Sequence, residues 1–537
     1  MDKEKIQPET PNKRSKYSFD SRWLLIMVIV ISVVVTTVML NKSSDKDGTG
    51  FVASTMDVDN GDQKINWSKY QSRTIELSDS VTITESGTYH LTGSIEDGLI
   101  LVNAGNGVVK LVLDNVSITN TSGPAISCLA ADDLVIELVG TSRLTDGETF
   151  SAEYDEDVTG AIYSKADLSF EGDGELTVIA NYADGIVGKD DVKFNSGNYT
   201  IKAEDDGIRG KDSVYIVSGK FKIDATADGI KSTNETDQGK GFVMIEGGNF
   251  NITTLAKGIK ATNNVLISGG DYSINSKDDA IHSNNYIGIS DGKINISSSD
   301  DGIHADRSLV IDGGTVTIAL AYEGLEAQSV TINDGVVSLT TSDDGINAGG
   351  GADSSANNRP GAGDFDTDEN CIIAINGGKV YVNSSGDGID SNGWVYFNGG
   401  DVVVDGPTNN GNGALDSGMG IVMNGGKVIA IGSSGMAETL GNNSSVYNIS
   451  INLSQVYKAG TVIEIKDSDE KTVFTHTAAK TFSNITAGST DFKLGSQYSI
   501  YLNEELYGMI TLSNITTTNG TTNHNDNRAP MNPGQRK

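Results

Sequence analysis

The stretch Asp300–Ala321, DDGIHADRSLVIDGGTVTIALA, holds one complete unit of the repeat that decides the architecture. Ile303 and Ala305 alternate with other residues, as do Leu309 and Ile311, and Val316 and Ile318 follow a Gly313-Gly314 turn. Period-two alternation of β-branched residues between Gly and Asp turns predicts three short strands per unit. No unit leaves room for a helix of about ten residues.

Outward from this unit, Asp-Gly-Ile and its variants recur with the third residue at Ile126, Ile162, Ile186, Ile208, Ile230, Ile259, Ile281, Ile303, Leu325, Ile346, Ile389 and Leu415. The commonest spacing is 22 residues, and insertions follow Ile230 and Ile346. One such coil cannot bury its own apolar face, whereas stacked coils align Ile and Val into continuous ladders. The expected fold is therefore all-β, a single-stranded parallel β-helix solenoid with about 22 residues and three strands per coil. About twelve coils at roughly 4.8 Å would span about 55–60 Å. The position two after the key Ile is small throughout, from Gly188 to Ser417, and Cys128 shares that slot as a packing residue.

Composition agrees with a repeat array and excludes other classes. The 537 residues carry 72 acidic and 39 basic side chains, a net charge of −33, with 64 Gly, 7 Pro and 2 Cys. Such an acidic chain is no nucleic-acid binder, because phosphate recognition needs a basic surface. Two cysteines make no disulfide scaffold.

The charge is uneven along the chain. Residues 1–22 form a basic segment, and 23–40, WLLIMVIVISVVVTTVML, are uncharged. Eighteen residues at 1.5 Å rise reach about 27 Å, one hydrocarbon core, so an N-terminal transmembrane helix is expected. The flanking Lys13, Arg14, Lys16 and Arg22 put the N-terminus inside and the bulk of the chain outside, a single-pass cell-membrane protein. Cleavage of the segment would make it secreted. Residues 41–70 read as a tether, 71–442 as the solenoid and 443–514 as a small C-terminal β domain. Residues 515–537 read as a disordered tail, and a monomer is expected.

The chemistry sits on the acid before Gly-Ile, at Asp184, Asp206, Asp228, Asp279, Asp301, Glu323, Asp344 and Asp387, with Lys257 in the same slot. Stacking in register brings equivalent carboxylates to about 5 Å, where repulsion reaches roughly 3–4 kcal/mol at an effective dielectric of 20. Asp-Gly turns capped by their own backbone explain part of the pattern. The crowding of hard oxygen ligands also predicts calcium. The ligands expected are Asp205, Asp206 and Asp228 in one cluster, Asp278, Asp279, Asp300 and Asp301 in another, and Asp343 and Asp344 beside the insertion that holds DFDTDEN.

The residue after the key Ile forms a second, outward column: Arg209, Lys231, Lys260, His282, His304, Glu326, Asn347, Asp390 and Asp416. It runs from basic to neutral to acidic. Its first five members are the candidate carbohydrate contacts, and His282 with His304 could share a transition metal. Lys257 reads as a neutralising charge inside the acidic column.

The strings DDGIRGKDSV, DDAIHS, DDGIHAD, YEGLEA, DDGINAGGG, GDGIDSNG and GPTNNGNGALD resemble a bacterial family of secreted carbohydrate-binding parallel β-helix proteins. The resemblance runs from about Ser72 to Leu512 and includes TVIEIKDSDEKTVF. That family, known from cellulose-degrading clostridia, is described as binding cellulose and polygalacturonate, resembles pectate lyases in fold and carries Ca²⁺. The membrane anchor read at the N-terminus departs from its simple secretion signal.

The resemblance implies a calcium-dependent binder of acidic, polygalacturonate-like polysaccharide. Cellulose fits less well, since only Trp67 and Trp394 lie outside the apolar segment. A calcium-assisted lyase acting by β-elimination is the enzymatic alternative, with Lys231, Lys257, Lys260 or Arg209 as base. A structural surface adhesin is the third.

Overall fold

The computed structural model describes residues 65–298, 300–349 and 367–519, all within the compact unit Asp57–Lys537. The expected cytoplasmic segment, transmembrane helix and most of the tether lie outside the described residues, as do Asp364, Asp366 and the tail from residue 520. Thr516–Thr518, expected in the disordered tail, instead form a strand paired with Asn448–Ser450, because that strand's edge offers backbone hydrogen bonds. Among the described residues no helix is long and apolar enough to cross a membrane.

The chain forms an all-β solenoid of about 15 turns with about 22 residues per coil. Three parallel ladders run its length, one for each strand of the repeat. The first joins the key residues in register, Ile186 to Ile208 to Ile230 to Ile259 to Ile281 to Ile303 to Leu325. It continues through Ile346 and Ile389 to Leu415. The second aligns Val192, Val214, Val243, Val265, Ile287 and Leu309. The third aligns Ile201, Ile223, Ile252, Ile274, Ile296 and Ile318. The count exceeds twelve because Ser72–Leu77, Gly87–Ile95 and Val108–Thr119 already pair in parallel register, although they lack the Asp-Gly-Ile signature.

Inward residues of the three ladders merge into one apolar core from Leu77 to Val446. Aromatic side chains stack along it, with Phe221 on Phe250 at 5.0 Å and Phe250 on Tyr272 at 4.6 Å between ring centroids. Cys128 is buried here, and burial pushes its thiol up to about 11. The double-Gly turns need their second glycine: Gly270 and Gly314 have φ of 102° and 78°, where a Cβ is strained. Ile274, fully buried in the third ladder, tests the packing. Ile274→Val is expected to cost about 0.5–1.5 kcal/mol in urea unfolding, the usual range for one lost methylene.

The C-terminal region divides differently from the expected 443–514. Asn448–Tyr457 and Phe482–Ser489 pair antiparallel, and Phe482–Ser489 also pairs with Lys427–Gly432, the last strand of the third ladder. These strands extend the solenoid's own sheet. A separate antiparallel sheet orders Thr472–Thr477, Val462–Lys466, Gln497–Leu502 and Glu505–Thr511. It packs with Ile429 and Ile431 in a second core that covers the end of the stack.

Candidate functional site

The key carboxylates sit at the corner preceding the first ladder, and each accepts a hydrogen bond from the next coil. The amides of Asp206, Asp228 and Lys257 donate to Oδ1 of Asp184, Asp206 and Asp228 at 3.1, 3.0 and 3.0 Å. The amides of Asp301 and Glu323 donate to Asp279 and Asp301, both at 3.2 Å, and that of Asp387 to Asp344 at 2.6 Å. The expected capping of each turn by its own backbone is thus replaced by a bond between coils. Strand stacking brings the next amide to the carboxylate.

The second oxygen of each carboxylate carries the remaining charge, and the molecule answers it differently along the ladder. At the N-terminal part the answer is basic. Asp184 Oδ2 meets Arg209 at 2.7 Å and accepts from Thr159 Oγ1 at 2.6 Å. Lys231 bridges Asp206 at 3.2 Å and Asp228 at 2.9 Å. Burial pushes the Asp206 carboxyl up to about 6; Asp184 and Asp228 add repulsion while Lys231 opposes it.

Lys257 lies buried between Asp278 at 2.8 Å and Asp279 at 2.6 Å. Burial would lower its pKa, but these two carboxylates raise it above the usual lysine value. Lys231 is held up in the same way by Asp206 and Asp228. Both are ammonium groups at neutral pH and poor bases for β-elimination.

The middle of the face holds the two histidines below the surface. His282 is 5% exposed and His304 0%, so neither can meet a polysaccharide directly, which corrects their expected role as carbohydrate contacts. The second column points away from the apolar core, yet its central members are covered. His282 Nδ1 lies 2.8 Å from Asp279 Oδ2 and Nε2 lies 3.0 Å from Asn284 Oδ1. Burial would raise the Asp279 carboxyl, but His282, Lys257 and His304 together hold it well below the usual range.

In the C-terminal stretch the acids face one another. Burial, then repulsion from Asp344, pushes Asp387 up to about 7, with Asp416 and Asp343 adding to it and the Gly413 amide opposing. Asp390 is raised well above its ordinary value by burial and by Asp344, Asp387, Asp416 and Glu323.

Calcium ligands can be tested on these groups. The clusters Asp184–Asp205–Asp206 and Asp278–Asp279–Asp300 are close enough to share an ion. Each already faces a side-chain cation, Arg209 and Lys231 in the first and Lys257 in the second. Around Asp387 and Asp390 the carboxylates of Asp344 and Asp416 add repulsion, which a cation taking oxygen ligands would relieve. Asp343 and Asp344 were expected as ligands. Asp387, Asp390 and Asp416 stand in the two columns by repeat position, and periodicity alone does not single out the steps where carboxylates face one another.

A cleft of about 370 Å³ opens at the basic end, between Arg209, Lys189, Lys211, Glu156, Asp157 and Thr159. Its wall is made by the insertion between Ile126 and Ile162. Phe150, Tyr154 and Val158 from that insertion pack on Tyr163 and Val187, the column members preceding Arg209. Phe150 stacks on Tyr182 at 4.3 Å. Lys189 and Lys211 reach the cleft from the turn after the first ladder, with side chains 35% and 49% exposed. They are more accessible than Arg209 and Lys231, whose charges serve the column.

Residues 78–345 match the model of a family described as carbohydrate-binding domain-containing protein. A relative of that description from Acetivibrio thermocellus is 41% identical over 128 residues, 23% of this chain and 45% of the relative. The matched part thus spans less than half the relative's length. A solved structure described as the polysaccharide lyase-like protein from C. thermocellum, a gadolinium derivative, is 30% identical with a TM-score of 0.35. That comparison covers 46% of this chain and 93% of the other.

Proposed function

From the match of residues 78–345 to a carbohydrate-binding domain family, we propose that the chain binds acidic polysaccharide along the outer face of the first ladder. The observation that carries this is the cleft beside Arg209, with Lys189 and Lys211 at its mouth and the face continuing toward the carboxylates around Asp387. Lys189 and Lys211 offer charge to a uronate, and Val187 gives the cleft an apolar spot backed by the insertion's packing. Arg209 and Lys231 act from beneath by keeping Asp184, Asp206 and Asp228 neutralised. Lys260, half-buried in the same column, extends the basic strip.

In this proposal Asp344, Asp387, Asp390 and Asp416 would hold Ca²⁺, which when bound supplies a positive charge that a sugar carboxylate can share. The same reading places the solenoid outside the cell membrane, anchored through residues 23–40.

Affinity electrophoresis of the full-length chain in gels containing polygalacturonate tests the proposal. Retardation is expected with Ca²⁺, falling about tenfold or more after chelation and returning on Ca²⁺ addition. Lys189→Glu with Lys211→Glu is expected to weaken retardation severalfold with thermal stability kept. Binding unchanged by chelation would refute the calcium part; failure to retard on polygalacturonate or any neutral glycan would refute carbohydrate binding.

A further inference from the structure

We propose a buried site for a divalent transition metal at the centre of the first ladder, formed by Asp301, His304 and Glu326 with Asp279 as fourth donor. His304 is 0% exposed, and neither ring nitrogen has a hydrogen-bond partner; Asp301 is 1% exposed and its Oδ2 likewise has none. Orphaned buried polar atoms are costly, and natural folds retain them where something else occupies the gap. Here three oxygens surround one nitrogen. His304 Nδ1 lies 3.4 Å from Glu326 Oε2, 3.5 Å from Asp301 Oδ2 and 3.8 Å from Asp279 Oδ2.

Those separations are long for hydrogen bonds, whose usual span is about 2.7–3.2 Å. They approach the edges of a tetrahedron around a metal with bonds of about 2.0–2.2 Å, which come to roughly 3.3–3.6 Å. Donor atoms of Asp301, His304 and Glu326 all lie within 4.8 Å of one another, as do those of Asp279, His282 and His304.

Donor chemistry separates this site from the calcium proposal. An imidazole nitrogen with carboxylate oxygens suits Zn²⁺ and its neighbours, whereas calcium takes oxygens. The surroundings supply a supporting shell. Asp279 Oδ2 is fixed by His282 at 2.8 Å and Lys257 at 2.6 Å, and Asp301 Oδ1 by the Glu323 amide. Glu326 is 15% exposed at its side chain, which leaves a way in for the ion. The ligands come from three consecutive coils, so a bound ion would tie them together where the column turns from basic to acidic.

The competing arrangement is a protonated His304 held among carboxylates without a metal, and one experiment separates the two. The full-length chain is stripped with a chelator and titrated with Co²⁺ while visible absorption is followed. One equivalent is expected to give intense four-coordinate ligand-field bands that Zn²⁺ abolishes and a tenfold excess of Ca²⁺ leaves in place. His304→Gln is expected to lose the bands, with the β circular dichroism signal retained. Glu326→Gln, at a more accessible position, is expected to shift them and weaken binding at least tenfold, and it carries the test if His304→Gln does not fold. Absence of bands in the wild type, displacement by Ca²⁺, or bands unaltered in the variants would overturn the site.

Discussion

Asp279→Ala is expected to destabilise the solenoid by about 3–5 kcal/mol, the range for removing one partner of a buried ion pair. Asp279 is 0% exposed and serves three groups at once. It accepts the Asp301 amide at 3.2 Å, meets Lys257 at 2.6 Å and lies 2.8 Å from His282. The alanine variant orphans an amide between two coils and takes from the buried Lys257 the carboxylate that lies 2.6 Å from it. Asp279→Asn keeps an acceptor for the amide and should cost less. Asp205→Ala, at an exposed neighbour of the same column, should stay within about 0.5 kcal/mol. Stacked coils need not unfold as one unit, so urea midpoints should be read with hydrogen exchange of the amides from 257 to 303. A loss below about 1 kcal/mol for the alanine variant would show that the carboxylate ladder does not hold the coils together.

The second large effect is a loss of stability of the metal-free chain as pH rises from about 4 to above 7. Asp387 has its folded pKa raised from 3.8 to about 7 by burial and by Asp344. Between those values the folded state keeps a proton that the unfolded state has released. Stability is therefore fully present below the unfolded pKa and is lost as pH rises through the folded one. A shift of about three units corresponds to roughly 4 kcal/mol for this group at 1.36 kcal/mol per unit. Asp146 and Asp167, each pushed up to about 7 mainly by burial, act in the same direction, whereas the lowered Asp279 opposes it. Urea midpoints at pH 4.5 and 7.5 in chelator should fall with pH, and added Ca²⁺ should recover much of the loss at pH 7.5. A midpoint that rises with pH in chelator would contradict these shifts, and one indifferent to Ca²⁺ would count against an ion at Asp344, Asp387, Asp390 and Asp416.

How much of this was legible depends on which links are local. The 22-residue period and the alternation in Asp300–Ala321 determine the three strands, their inward faces and the register, because stacked coils bury their apolar edges only when Ile303 meets Ile281 and Leu325. The start of the solenoid near residue 71 was legible from alternation alone, whereas the continuation of its sheet through Asn448–Tyr457 and Phe482–Ser489 was not. Those two strands pair by backbone hydrogen bonds that carry no Asp-Gly-Ile signature. Lys257 as an internal counter-charge was also legible, since its slot lies in the acidic column.

The sequence by itself determined the ladder of acids and the column beside it. Only the tertiary structure decided what each step of the ladder does. A carboxylate at the same repeat position meets Arg209 at Asp184, Lys257 at Asp279 and further carboxylates at Asp387. The outward column likewise divides into a cleft at Arg209, buried imidazoles at His282 and His304, and an acidic end. The physical reason is that periodicity constrains backbone and direction, whereas burial and charge are set by side chains one or more coils away and by insertions such as the one carrying Phe150. Those neighbours lie 22 or more residues distant in the chain and a few ångströms distant in space.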